Sequence, residues 1–157
     1  MMSGALKACH FWRERLTQSL EAADEELACR IPDGFSNNIK WNAGHILVNF
    51  YEKTGTLADR AVDLPADYQK AFSKGTSPEH WADLDVPELT RIIALLKEQA
   101  EWLDQQSEQI FTAKLEKSFR GMDTGEELVQ FLTAHDCLHL GVINSIKNAS
   151  NVKNVWG

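Results

Sequence analysis

Residues 124–149 read TGEELVQFLTAHDCLHLGVINSIKNA. Thr124 followed by Glu127 is a capping-box pattern, which marks a helix start. At about 100° per residue, Leu128, Phe131, Leu132, Val142 and Ile146 all fall within about 60° of His135. Glu126, Gln130, Thr133, Asn144 and Lys147 take the opposite side, as a solvent face should. The stretch reads as one long amphipathic helix. His135 and His139 lie about 40° apart in the middle of its apolar stripe. Each imidazole loses water on burial, and an unpaired polar group costs on the order of 1–3 kcal/mol. The i, i+4 spacing aims both rings at one point, as in helical metal sites. Two readings stand on this stretch alone: a shared metal ion, or two core histidines hydrogen-bonded to neighbouring helices.

Three further stretches carry helical periodicity. Residues 4–30 place Cys9, Leu16, Leu20, Ala23 and Leu27 at helical spacing and end before Ile31-Pro32-Asp33-Gly34, a turn by composition. Residues 36–61 begin at Ser36-Asn37-Asn38, all good capping types. Residues 85–111 open at Asp85-Val86-Pro87-Glu88, where Asp85 can cap and Glu88 can close a capping box. Residues 62–84 read as irregular, with a short helix start at Ser77-Pro78-Glu79. No stretch shows the alternation of an amphipathic strand. Four amphipathic helices can bury their faces only against one another. The expected fold is therefore all-α, a four-helix bundle with a long connection between helices 2 and 3. A connection of roughly two dozen residues is functional or carries helix of its own.

The chain has 157 residues, which suits a single domain over 1–157. Its net charge of −7 argues against a nucleic-acid partner. Residues 79–108 hold eight acids against Arg91 and Lys97, the pattern of a solvated face. No apolar run approaches the ~20 residues of a membrane helix, and the N-terminus lacks the pattern of a signal peptide. A cytoplasmic protein is expected. Cys9, Cys29 and Cys137 form no CxxC, so neither a disulfide framework nor a thiolate zinc site is indicated.

A third histidine extends the pattern. In the second helix Ile39, Ala43, Ile46, Leu47 and Phe50 form one face, and His45 lies about 100° from its centre. Trp41, Asn42, Asn49 and Glu52 share its polar stripe at the border of the core, and so are candidates for the lining of a pocket. Three histidines from two helices can supply three ligands and leave a fourth position open, the arrangement of a catalytic site. Cys137 points about 200° away from His135 and cannot share that metal, while Asp136 lies about 100° off and can act only from behind a ligand. His10 and His80 read as surface or partly buried side chains. His135-Asp136-Cys137-Leu138-His139 departs from HExxH, so protease chemistry is unsupported. No Gly-rich phosphate loop and no GxSxG elbow occurs.

Three motifs, in order along the chain, resemble those of the DinB superfamily and its four-helix-bundle metalloproteins. They are Asn38-Ile-Lys-Trp-Asn-Ala-Gly-His45, then Ala71-Phe-Ser-Lys-Gly-Thr-Ser-Pro78 followed by Trp81, then His135-Asp-Cys-Leu-His139-Leu-Gly141. The resemblance implies a metal triad of His45, His135 and His139 holding one divalent ion: zinc, nickel, iron or manganese. It implies a close helix contact at Gly141. Many members carry Gln where this chain has Val142, so the resemblance implies that a polar pocket contact of those members is not carried over. Characterised branches include S-transferases that use low-molecular-weight thiols such as bacillithiol, and a mycothiol-dependent isomerase. The expected function is metal-dependent activation of a small thiol for S-transfer to an electrophile. The alternatives are a hydrolase activating water and a non-catalytic metal-binding stress-response protein. The expected partner is a small molecule, a low-molecular-weight thiol. The resemblance also implies a homodimer, with Trp12, Trp41, Trp81, Trp102 and Trp156 as the only compositional support.

Overall fold

Over the described residues, 3–153, the computed structural model is mostly helical. In chain order the elements are α1 (Gly4–Glu21), α2 (Glu25–Cys29), α3 (Ile39–Thr54), α4 (Ala66–Phe72), α5 (Leu89–Thr112), β1 (Lys114–Phe119), β2 (Met122–Thr124) and α6 (Gly125–Ala149). Short 3-10 turns cover Gly55–Leu57 and Pro78–His80. α1 packs on α5 and α6, α3 packs on the same two helices, and α4 covers α3. None of these helices is long and apolar enough to cross a membrane. Trp156 lies outside the described residues.

Local chemistry accounts for most boundaries. Thr124 Oγ1 accepts from Glu127 N–H, and Glu127 Oε2 accepts from Thr124 N–H at 3.0 Å, so the capping box at the start of α6 is formed. Asn38 caps α3 by accepting from Trp41 N–H at 2.7 Å. The first helix is shorter than its periodicity predicts. Asp24 accepts from Leu27 N–H at 2.8 Å and restarts the chain as α2, a side-chain cap that outcompetes helix continuation after Glu21. α3 likewise stops at Thr54, whose hydroxyl donates back to Phe50 O at 2.7 Å, ahead of Gly55. The capping box expected at Asp85 and Glu88 does not form. Glu25 of α2 instead accepts from Leu89 N–H at 2.8 Å, a cap supplied from 64 residues away.

Two further findings correct the sequence reading. Residues 114–124 form a hairpin where no strand is expected. Its register shifts between Lys114 and Phe119, which breaks the alternation that would have revealed it. On α6, Thr133 and Lys147 are buried rather than solvent-facing. Lys147 Nζ donates to the carbonyl and hydroxyl of Ser19 on α1. The deepest stripe of α6 runs through Val129, Asp136, Leu140 and Ile143, about 100° round from His135. The two histidines therefore stand at the edge of the core, half-buried, where the helix turns from protein toward open space.

The eight acids of residues 79–108 are all exposed, as expected of a solvated face. Cys9 is buried, Cys137 is half-buried and Cys29 is exposed, and all three are free.

Candidate metal centre

His45 from α3 and His135 and His139 from α6 converge on one point. Their nearest ring nitrogens all lie within 4.8 Å of one another. His135 Nε2 and His139 Nε2 are 3.2 Å apart. His10 and His80 are elsewhere. His10 pairs with Asp104 at 2.6 Å, and His80 is exposed in its 3-10 turn.

The fold fixes which nitrogen each ring presents. His45 Nδ1 donates to Phe72 O at 2.8 Å, leaving Nε2 unprotonated. Phe72 can approach because residue 44 has no side chain. A Cβ on Gly44 would fall 2.4 Å from the Phe72 ring. Trp41 stacks on His45 with ring centroids 4.8 Å apart and planes 7° from parallel. The Trp41 indole is held in turn by Thr76 Oγ1 at 2.9 Å. His139 Nδ1 donates to Asn42 Oδ1 at 2.7 Å. Asn42 Nδ2 donates to Asn37 Oδ1 and Asn38 O, both acceptors, so the amide can face His139 only with its oxygen. His139 Nε2 is then also a lone pair, turned toward His135 Nε2 at 3.2 Å. Burial, with His135 and His45 as neighbours, pushes the His139 pKa down to about 4. Burial also lowers that of His45. Both rings are neutral near pH 7, the form that ligates metal.

His135 presents the third ring. Its Nδ1 is buried without a hydrogen bond, and so is Asp136 Oδ1, 3.8 Å away. At 3.8 Å the two make an electrostatic contact and not a hydrogen bond; a proton on His135 Nδ1 would face the carboxylate and leave Nε2 to a cation. Asp136 is held for this by Arg13, whose Nε donates to Asp136 Oδ2 at 2.8 Å. Arg13 Nη1 also donates to Gln99 Oε1, and Gln99 Nε2 donates to Leu47 O at 3.0 Å. Side chains of α1, α5 and α6 thus lock the acceptor behind one ring. The three-histidine group can hold a metal ion; the second nitrogens of His45 and His139 are hydrogen-bonded, and that of His135 faces Asp136 at 3.8 Å.

Above the histidines lies a cavity of about 590 Å³. Trp41, Asn49 and Glu52 line it, together with the apolar Phe119, Phe131 and Leu132. Asn42 does not. It is buried behind His139, so its part is to orient a ring rather than to wall a pocket. Gly141 makes no close helix contact either, since a Cβ there would meet nothing within 4 Å. The close approach is at Gly44 instead.

Residues 10–143 match the family profile of the DinB superfamily. The chain belongs to the DinB superfamily. No curated protein matches it significantly. The matched span of this DinB-superfamily chain contains all three histidines and the whole cavity wall. Sequence reasoning missed Arg13, Phe72 and the Phe119-Arg120 tip. For Arg13 a signal existed: it continues the inward Cys9, Leu16, Leu20 stripe, where a buried cation needs a buried carboxylate.

Proposed function

We propose that this chain is a metal-dependent enzyme, built on a four-helix bundle, that activates a small thiol for transfer to an electrophile. One observation carries the reading. Three imidazoles, two of them held through their other nitrogen, form the floor of an open cavity whose lining contains no cysteine. A thiol reacting there comes from a second molecule. His45, His135 and His139 would hold one divalent cation, and three imidazoles accept zinc, nickel, iron or manganese. When bound, such a cation supplies a Lewis acid that lowers the pKa of a thiol or of water. The chain's own part is orientation and exclusion of water. Phe72 O and Asn42 set two of the rings and Asp136 faces the third, while Phe119, Phe131 and Leu132 dry one side of the cavity. Three free cysteines support a reducing, cytoplasmic setting.

The test is metal content by mass spectrometry together with conjugation of small thiols to an electrophilic dye. Wild type should carry about one divalent ion per chain and turn over, and His139→Ala should lose both. Thiol transfer that persists unchanged in His139→Ala would sink the mechanism. A metal-loaded wild type that hydrolyses esters but conjugates no thiol would move the reading to a hydrolase.

A further inference from the structure

The exposed side chains of the cavity wall are Glu52, Lys74 and Arg120, with Lys53 half-buried beside them. Three cations thus face one carboxylate, in a protein whose net charge is −7. Glu52 lies 3.8 Å from Lys53 and offsets that charge. Among the described residues no carboxylate pairs with Lys74 or Arg120. Arg30, Lys70, Arg91 and Lys97, exposed elsewhere on the chain, do have acidic partners, whereas Lys7, Arg15, Lys114 and Lys117 have none among the described residues.

Arg120 is also held where arginine is disfavoured. Arg120-Gly121 is the two-residue turn between the paired residues Phe119 and Met122, with φ of 52° and 88°. Both positions are left-handed, and such turns prefer Asn-Gly. An arginine kept there against local preference invites a functional explanation. Lys53 Nζ and the Arg120 guanidinium both lie over Phe119, 5.3 Å and 5.9 Å from its centroid, so the ring collects two cations at the cavity.

We infer that Lys53, Lys74 and Arg120 form a subsite for an anionic group, carboxylate or phosphate, on the small molecule whose reacting atom lies over the three histidines. This rests on the reading of the cavity as the active site. Half-screened cations beside apolar walls attract an anion more strongly than a flat surface does, and guanidinium adds directional donors. The subsite favours anionic over neutral co-substrates of equal size.

The test uses the full chain, zinc-loaded and metal-free, and the double variant Lys74→Gln/Arg120→Asn. Both side chains are exposed, and Asn suits the left-handed turn, so the variant keeps the fold. Succinate and inorganic phosphate are titrated while backbone amide shifts are followed by NMR. Succinate should shift residues 74 and 119–121 and bind roughly tenfold more weakly to the variant, with added salt weakening wild type toward it. The same pattern with phosphate but not succinate assigns the subsite to phosphate. In the thiol assay mercaptosuccinate should show a lower KM than 2-mercaptoethanol in wild type only. Equal anion affinity in wild type and variant overturns the inference. Anion binding that is lost in the variant, with no thiol transferred by either protein, keeps the subsite and removes the S-transfer reading.

Discussion

His139 is buried between two other imidazoles and tied to Asn42, and these surroundings set its titration. Its pKa falls to about 4 in the folded chain, from the ordinary 6.5. Between those values the unfolded chain binds more protons than the native one, so native stability rises with pH. The metal-free protein should hold this contribution above the ordinary histidine range and lose it as pH falls toward 4, on the order of 2 kcal/mol after allowing for partial exposure. Urea unfolding at neutral pH and near the lower limit measures it, and His139→Gln should flatten the dependence. NMR of the ring nitrogens at pH near 5.5 should show His139 neutral and protonated on Nδ1, unlike a solvent-exposed histidine. Asp136 acts one residue further back. Asp136→Asn should weaken metal binding roughly 10–100-fold, read by competition with a chelator, because the carboxylate facing His135 Nδ1 loses its charge. Unchanged affinity would mean that His135 needs no such partner.

Gly44 shows how a helix is shaped by what packs on it. Gly44→Ala puts a methyl carbon against the Phe72 ring and should destabilise the protein by about 1–3 kcal/mol, seen as a lowered denaturation midpoint. It also pushes the Phe72 carbonyl away from His45, so metal affinity should fall alongside stability. The capping box of α6 was fully legible, since Thr124 and Glu127 need only each other's backbone. Thr124→Ala should cost about 1 kcal/mol in chemical denaturation, with no loss of the metal site, as the change lies three helical turns from His135. The α5 cap was not legible, because its donor of the acceptor atom, Glu25, is remote in sequence. The hairpin was hidden by its shifted register, although it delivers Phe119 and Arg120 to the cavity.

The cavity depends on the whole assembly: α3 and α6 supply the imidazoles, the segment after α4 supplies Ser73 and Lys74, and the hairpin supplies the last wall. A cation that binds the folded site and not the unfolded chain should stabilise all of it together. At about one hundred times its dissociation constant, zinc should add roughly 2.7 kcal/mol to unfolding, and His139→Ala should abolish the shift. A thermal shift of equal size in the variant would place the binding elsewhere.

The sequence by itself determined the local parts: helix periodicity, the caps at Asn38 and Thr124, and three histidines at spacings that let two rings share a point. Those depend on neighbours within a few turns, which one strand of text displays. Only the tertiary structure decided which face of α6 is deepest, because that depends on α1 lying across Thr133 and Lys147. The same holds for the carboxylate behind His135, where Asp136 is fixed by Arg13 and Gln99 from two other helices, and for the charge of the cavity wall, set by a hairpin tip folding back over it. Long-range burial and hydrogen bonding fix these features, and no periodicity encodes them.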